Sequence, residues 1–324
     1  MSGSLELLAN NLLAPTILFF ILGAFAAFVR SDLSIPKGAA KVMSIYLLFA
    51  IGFKGGVGIS QSGISSDLFA NMFAGVILSF VLPFVAYWLI KLLTKLDDMN
   101  AAAVAGHYGS ISIVTFVTAV SILESSGIAA ESYMVAIAAV MEVPAIMSAL
   151  WLASRTSSSA NDNKSELYRD ILANGSIVLL VGSFIIGAIT GTDGMTELNP
   201  FIAVPFTGVL CLFLLDMGLS AGRSLMKNRG DISTGLILFG CIMPMVGSVI
   251  GLLAAMMTGL SYGGTFLMMV LSASASYIAV PAAMQIALPD AKSGIYLSLS
   301  LGITFPFNLT VGLPLYMYLA SLVT

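Results

Sequence analysis

Two short runs of small polar residues interrupt otherwise apolar stretches, Gly109-Ser110-Ile111-Ser112 and Ser272-Ala273-Ser274-Ala275-Ser276-Tyr277, 164 residues apart in a chain of 324. Hydrocarbon offers no partner to a hydroxyl or to unwound backbone. Such runs therefore persist at membrane depth only where protein buries them or where they line a water-filled cavity. Paired interruptions in two halves of a chain are the pattern of a transporter's binding site. Half-helix ends with free N–H groups favour an anion, and freed carbonyls favour a cation, so such a site can hold an anion and Na+ together. The competing reading is that small residues here only let helices pack closely.

Ionisable side chains within apolar segments are costly and point to function by default. Four qualify: Lys54, His107, Glu142 and Asp216. Glu142 precedes Pro144, and Thr304 precedes Pro306 at the matching place 162 residues later. A carboxylate and a hydroxyl so related could supply oxygen ligands to a hard cation; a hydrogen-bonded structural carboxylate is the alternative. His107 could relay a proton or simply pack. Lys54 could attract an anion, though snorkelling to the interface is the plainer role. Asp216 lies within two turns of Arg223, so pairing between them, or a helix-terminus role near the cytoplasmic face, is expected.

The elements that must position these residues follow from composition. Hydrophobic residues make up 58% of the chain and charged residues 9%, against about 25% charged in soluble proteins. This implies an all-α integral membrane protein. Apolar windows of about 20 residues, the length needed to cross a bilayer, fall near 12–29, 38–60, 68–94, 100–123 and 131–153, then near 170–190, 199–222, 233–258, 264–288 and 293–322. Twelve of the thirteen Lys and Arg then lie on one face, Lys54 being the exception. That is the positive-inside pattern, and it places both termini outside a plasma membrane. The net charge of −3 adds nothing about partners. The amino terminus has no basic run before its apolar stretch, so a cleaved signal peptide is not expected. Cys211 and Cys241 fall in apolar segments and read as small packing residues. No Walker sequence, strand-linked GxGxxG, GxSxG or metal-spaced Cys/His cluster occurs, so the sequence predicts no enzyme and no organic cofactor.

The hydrophilic stretch 154–169 divides the chain into halves, 1–153 and 170–324, and reads as a cytoplasmic linker. Gly23 and Gly182, Ile51-Gly52 and Met217-Gly218, Ser110/Ser112 and Ser274/Ser276, and Pro144 and Pro306 recur in the same order. Five spans per half is odd, so the second copy must enter the membrane inverted, giving a 5+5 inverted-topology repeat of ten helices.

Ile51-Gly52-Phe53-Lys54-Gly55-Gly56, Gly106-His107-Tyr108-Gly109-Ser110-Ile111-Ser112, Met141-Glu142-Val143-Pro144 and the stretch from Ser272 to Pro281 together resemble the SbtA-type sodium-dependent bicarbonate transporter family. The resemblance covers nearly the whole chain. It implies a gate domain (spans 1, 2, 6 and 7) and a core domain (spans 3, 4, 5, 8, 9 and 10) whose broken helices four and nine cross and hold the substrate. It also implies a homotrimer, Na+ as coupling ion, and a PII-like regulatory protein on the cytoplasmic face. The chain departs from the family at Tyr277, where an aspartate is typical, and at Ile113-Val114, where a Gly-Ser pair is typical. The expectation is a secondary active symporter of Na+ and a small anion, bicarbonate first, in contact with membrane lipid and not nucleic acid. Its alternatives are a permease for another small anion and a cation/proton antiporter. The expected substrate-binding residues are Gly109, Ser110, Ser112, Ser274, Ser276 and Tyr277. The expected sodium-binding residues are Ser112, Thr115, Glu142, Ser276, Thr304 and Asn308.

Overall fold

The computed structural model describes residues 13–154, 175–228, 230, 232–277, 280, 281, 284, 288 and 290–324. The expected linker lies outside these residues. Those described are helical, with no strand among them. In chain order the helices are α1 (Pro15–Phe28), α2 (Lys37–Ser62), α3 (Ser66–Leu93), α4 (Asp98–His107), α5 (Ile113–Ser125), α6 (Met134–Val140) and α7 (Glu142–Ser154). Then come α8 (Gly175–Ile202), α9 (Phe206–Lys227), α10 (Thr234–Thr258), α11 (Tyr262–Ala273) and α12 (Ser293–Ala320). Six of these, α2, α3, α8, α9, α10 and α12, hold a stretch long and apolar enough to cross a membrane. The expected spans four, five and nine are interrupted, and their helical pieces are shorter. The helix α8 runs twelve residues past the expected end near 190, through a break at Gly191, whose φ of 56° a side chain would strain.

Two helix pairs pack through glycines: α1 on α9 and α2 on α8. A Cβ at Gly23 would strike the Leu215 carbonyl, and one at Gly218 the Phe20 carbonyl. In the other pair a Cβ at Gly187 would strike the Phe53 carbonyl, and one at Gly56 the Phe184 carbonyl. Glycine is required at these positions because backbone meets backbone. Gly182, matched to Gly23 in the sequence, meets nothing; Gly187 does the equivalent work.

The remaining helices surround the two interruptions. Proline inside a helix removes one N–H and strands the carbonyl four residues earlier. Pro83 in α3 strands the Ser79 carbonyl, against which Gly109 packs. Pro244 in α10 strands the Gly240 carbonyl, which accepts from Thr304 Oγ1 at 2.8 Å. Pro144 separates α6 from α7 at Met141, where Ser79 Oγ enters the helix ladder, donating to the Met141 carbonyl and accepting from Ala145 N at 3.1 Å. Near Pro306, α12 widens into π-turns at Ser298–Thr304 and Asn308–Gly312.

The α4 terminus is fixed from its own residues. Asp97 Oδ1 accepts from Asn100 N at 2.9 Å and its other oxygen from Asn100 Nδ2 at 2.6 Å. Burial acts to raise the Asp97 pKa, but these bonds outweigh it and hold the carboxyl below its ordinary value. Asn100 Oδ1 in turn accepts from Lys292 N at 2.8 Å at the start of α12. At the other end of the molecule Glu131 accepts from Ser261 N at 2.7 Å and from Ser261 Oγ at 3.0 Å, at the start of α11.

Candidate functional site

The sequence breaks α4 from α5 because Gly109 and the serines compete poorly for helix, and Ser112 then caps the new helix. Ser112 Oγ accepts from Thr115 N at 3.3 Å and from Thr115 Oγ1 at 2.9 Å. Its own O–H therefore remains free to donate. At the second break α11 ends on Ala273, and the Ala273 carbonyl accepts from Asn308 Nδ2 at 3.0 Å.

The two breaks, far apart in sequence, meet. Ser276 N donates to the His107 carbonyl at 2.8 Å, and Ser112 N donates to Ser274 Oγ at 2.9 Å. Ser274 Oγ donates onward to the Leu271 carbonyl at 2.9 Å, so this hydroxyl is spent splicing the crossing. Ser110, Ser112, Ser274 and Ser276 are all buried. Ser110 Oγ and the Tyr277 hydroxyl have no hydrogen-bond partner, although Tyr277 lies beside Ser112. Buried polar groups are nearly always paired, so these two hydroxyls, with Tyr277 in reach of Ser112, are open to a further partner. Gly109 is held against Pro83, and this sets the depth of the break against α3. Phe305 closes the crossing from one side, edge-on to Tyr277 at 5.3 Å and to Phe20 of α1 at 5.2 Å.

The expected sodium ligands are not all brought together. Ser112, Thr115 and Ser276 share the crossing. Asn308 braces it, its Oδ1 accepting from the Tyr316 hydroxyl at 2.8 Å. Thr304 is occupied by the Gly240 carbonyl and by the Tyr108 hydroxyl, 2.6 Å away. Glu142 is 4% exposed, and its Oε2 has no hydrogen-bond partner. No hydrogen bond joins Glu142 to Thr304. Among the described residues no cluster of His, Cys, Asp and Glu could hold a transition metal; hydroxyls and carbonyls are the ligand class that suits Na+.

His107 Nδ1 lies 2.7 Å from the Ala103 carbonyl, its ring stacks on Tyr296 at 4.5 Å, and its Nε2 is unpartnered. Because a carbonyl can only accept, Nδ1 carries the proton and Nε2 is a bare acceptor. Lys54 does not simply snorkel: it pairs with Glu124 at 3.1 Å. Arg223 donates to the Leu33 carbonyl at 2.6 Å, and no ion pair with Asp216 forms.

Residues 15–321 match the Na+-dependent bicarbonate transporter superfamily. The chain belongs to that superfamily. It is thus a multi-pass membrane protein of a transporter family, which is not an enzyme class. Family membership supplies Na+ and bicarbonate as the relevant solutes. No curated protein matches the chain. Sequence reasoning missed Tyr108, Ser79 and the two stranded carbonyls. Pro83 and Pro244, 161 residues apart inside apolar windows, were the available signal.

Proposed function

We propose that this superfamily member is a secondary active symporter that moves bicarbonate with Na+ by alternating access. The observation that carries the reading is the crossing itself, where Ser276 N meets the His107 carbonyl and Ser112 N meets Ser274, with two buried donor hydroxyls left open beside it. The Ser110, Ser112 and Tyr277 hydroxyls, with the α5 N–H groups, would hold the anion. Thr115 and Ser276, with carbonyls at the end of α11, would hold Na+, and Glu142 would contribute its charge.

The inverted repeat is supported by contacts that recur with nearly constant offsets. Gly23 on Leu215 corresponds to Gly187 on Phe53, and Gly218 on Phe20 to Gly56 on Phe184; the members differ by 162 or 164 residues. Lys292 on Asn100 corresponds to Glu131 on Ser261, both differing by 161. These pairs and the one-sided basic residues support the ten-span, 5+5 topology proposed here. The glycine-packed helices α1, α2, α8 and α9 would form the gate, and the others the core. Trimeric assembly, residence in the bacterial inner membrane and a PII-like partner on the linker are carried only by the family resemblance.

A second reading has its own observation. Glu142 Oε2 and His107 Nε2 are both buried and unpartnered, which suits proton transfer in a cation/proton antiporter. Uptake of labelled bicarbonate into proteoliposomes, with and without a Na+ gradient, separates the two. Uptake that needs the Na+ gradient supports symport; proton-coupled transport that survives removal of all Na+ replaces it with the antiporter.

A further inference from the structure

Lys54 stands on α2, in the second half of a helix that starts at the basic face. Its Nζ meets both oxygens of Glu124, at 3.1 and 3.3 Å, and lies 4.7 Å over the Phe206 ring at the start of α9. Glu124 is the penultimate residue of α5, whose other end is the Ser112 cap. The pair therefore bridges two proposed gate helices to the end of a rod that begins at the crossing, about 18 Å away at 1.5 Å per residue.

Around it α2 touches the start of α6 closely. A Cβ at Gly55 would lie 2.9 Å from Val135 Cβ, and one at Gly58 would strike Ser132. Elsewhere between α9 and α12 the contact is uncharged: Asn228 Nδ2 donates to Ser298 Oγ at 2.9 Å, and Ser224 Oγ lies 3.0 Å from the same atom.

We propose that the Lys54–Glu124 pair is a latch that closes the outer end of the core against the gate and must open once in every transport cycle. The inference rests on the gate and core reading above. Its logic is linkage: a contact present in one state and absent in the other biases the equilibrium by its own free energy. The Phe206 contact joins α2 to α9 within the proposed gate, so the latch strength is that of the partly exposed ion pair alone, which shifts such an equilibrium by up to about fivefold. Motion of α5 on anion or Na+ binding at Ser112 would be felt directly at Glu124, because the helix is continuous between them.

Two measurements on the full chain reconstituted in vesicles test this. In a Cys211→Ala/Cys241→Ala background, Ser132→Cys reports opening through its labelling rate with a membrane-impermeant maleimide. Lys54→Met and, separately, the milder Glu124→Gln should raise that rate by about two- to fivefold, and the double reversal Lys54→Glu/Glu124→Lys should return it towards the parent. An unchanged rate in both single variants overturns the latch. The second measurement uses Gly55→Cys/Val135→Cys in the same background, where the two Cβ positions are close enough for a disulfide after a small adjustment. Oxidation should stop bicarbonate uptake, and reduction should restore it. Cross-linked protein that transports at the reduced rate also overturns the latch, while leaving bicarbonate transport established. The labelling arm needs no transport, so failure of the symport reading shows up separately, as absent uptake by the unsubstituted chain.

Discussion

Gly109→Ala perturbs the contact that fixes the depth of the first break. The new Cβ would lie 2.7 Å from the Ser79 carbonyl oxygen and closer still to Pro83 Cγ and Cδ, where ordinary contacts begin at 3.4 Å. With Pro83 Cγ the closest atom, the break must therefore move away from α3 by about 1 Å. The Pro83 ring has no rotamer to retreat into. Overpacking of this kind costs about 1–3 kcal/mol, and the displacement carries Ser110 and Ser112 with it. The expected outcome is a variant that inserts and purifies, unfolds at lower denaturant or temperature than the parent, and loses most Na+-driven bicarbonate uptake in proteoliposomes. Pro83→Ala removes Cγ and Cδ, so the double variant Gly109→Ala/Pro83→Ala should recover part of both losses, a positive coupling of about 1 kcal/mol within the range for residues in contact. If Gly109→Ala alone matches the parent in stability and uptake, the break is not held by Pro83 and the depth argument fails.

Ser112→Leu and Ser276→Leu should each abolish uptake while the protein still inserts; normal transport by both would make these serines packing residues. Glu142→Gln keeps the shape but removes the charge, so the Na+ concentration giving half-maximal uptake should rise before substrate recognition weakens, as read from Na+ titrations of uptake. Lys95→Cys and Ser126→Cys, both at exposed positions, should be labelled from opposite sides of the membrane, Lys95→Cys from the cytoplasm; labelling from the same side would sink the inverted repeat. Asp97 has a lowered folded pKa, so its support of the α4 terminus is present above the unfolded value of about 3.9 and is lost as pH falls through the folded one. Amide exchange at Asn100 and Ala101 should accelerate at acid pH in the parent and lose that pH dependence in Asp97→Asn.

The apolar windows and the two serine breaks were legible in the sequence because both are local: a run of hydrophobic residues, and glycine or serine where helix is weak. What the sequence could not reveal is which group each break leaves facing it. Ser79 completes the ladder of α7 from another helix, and Ser112 N finds Ser274 Oγ across 162 residues. Such pairings depend on tertiary approach, which no spacing encodes. Lys54 is the same case, since only the fold brings Glu124 to it.

Thr304 is the most instructive difference. As the counterpart of Glu142 it was expected to share a cation, yet its hydroxyl is consumed by the carbonyl that Pro244 strands and by Tyr108. The carbonyl stranded by Pro83 is met instead by the backbone of Gly109. In the proposed repeat the two halves thus agree in where proline opens the backbone and differ in the side chain that answers it. One half keeps a buried carboxylate at Glu142 with an oxygen unpaired, and the other keeps a satisfied hydroxyl. In the symport proposed above, the acidic group would stand on one side of the site only. A monovalent cation would then be drawn towards the Glu142 half while the anion rests on the open hydroxyls of Ser110 and Tyr277, and the two solutes would neutralise each other across the crossing as the core moves.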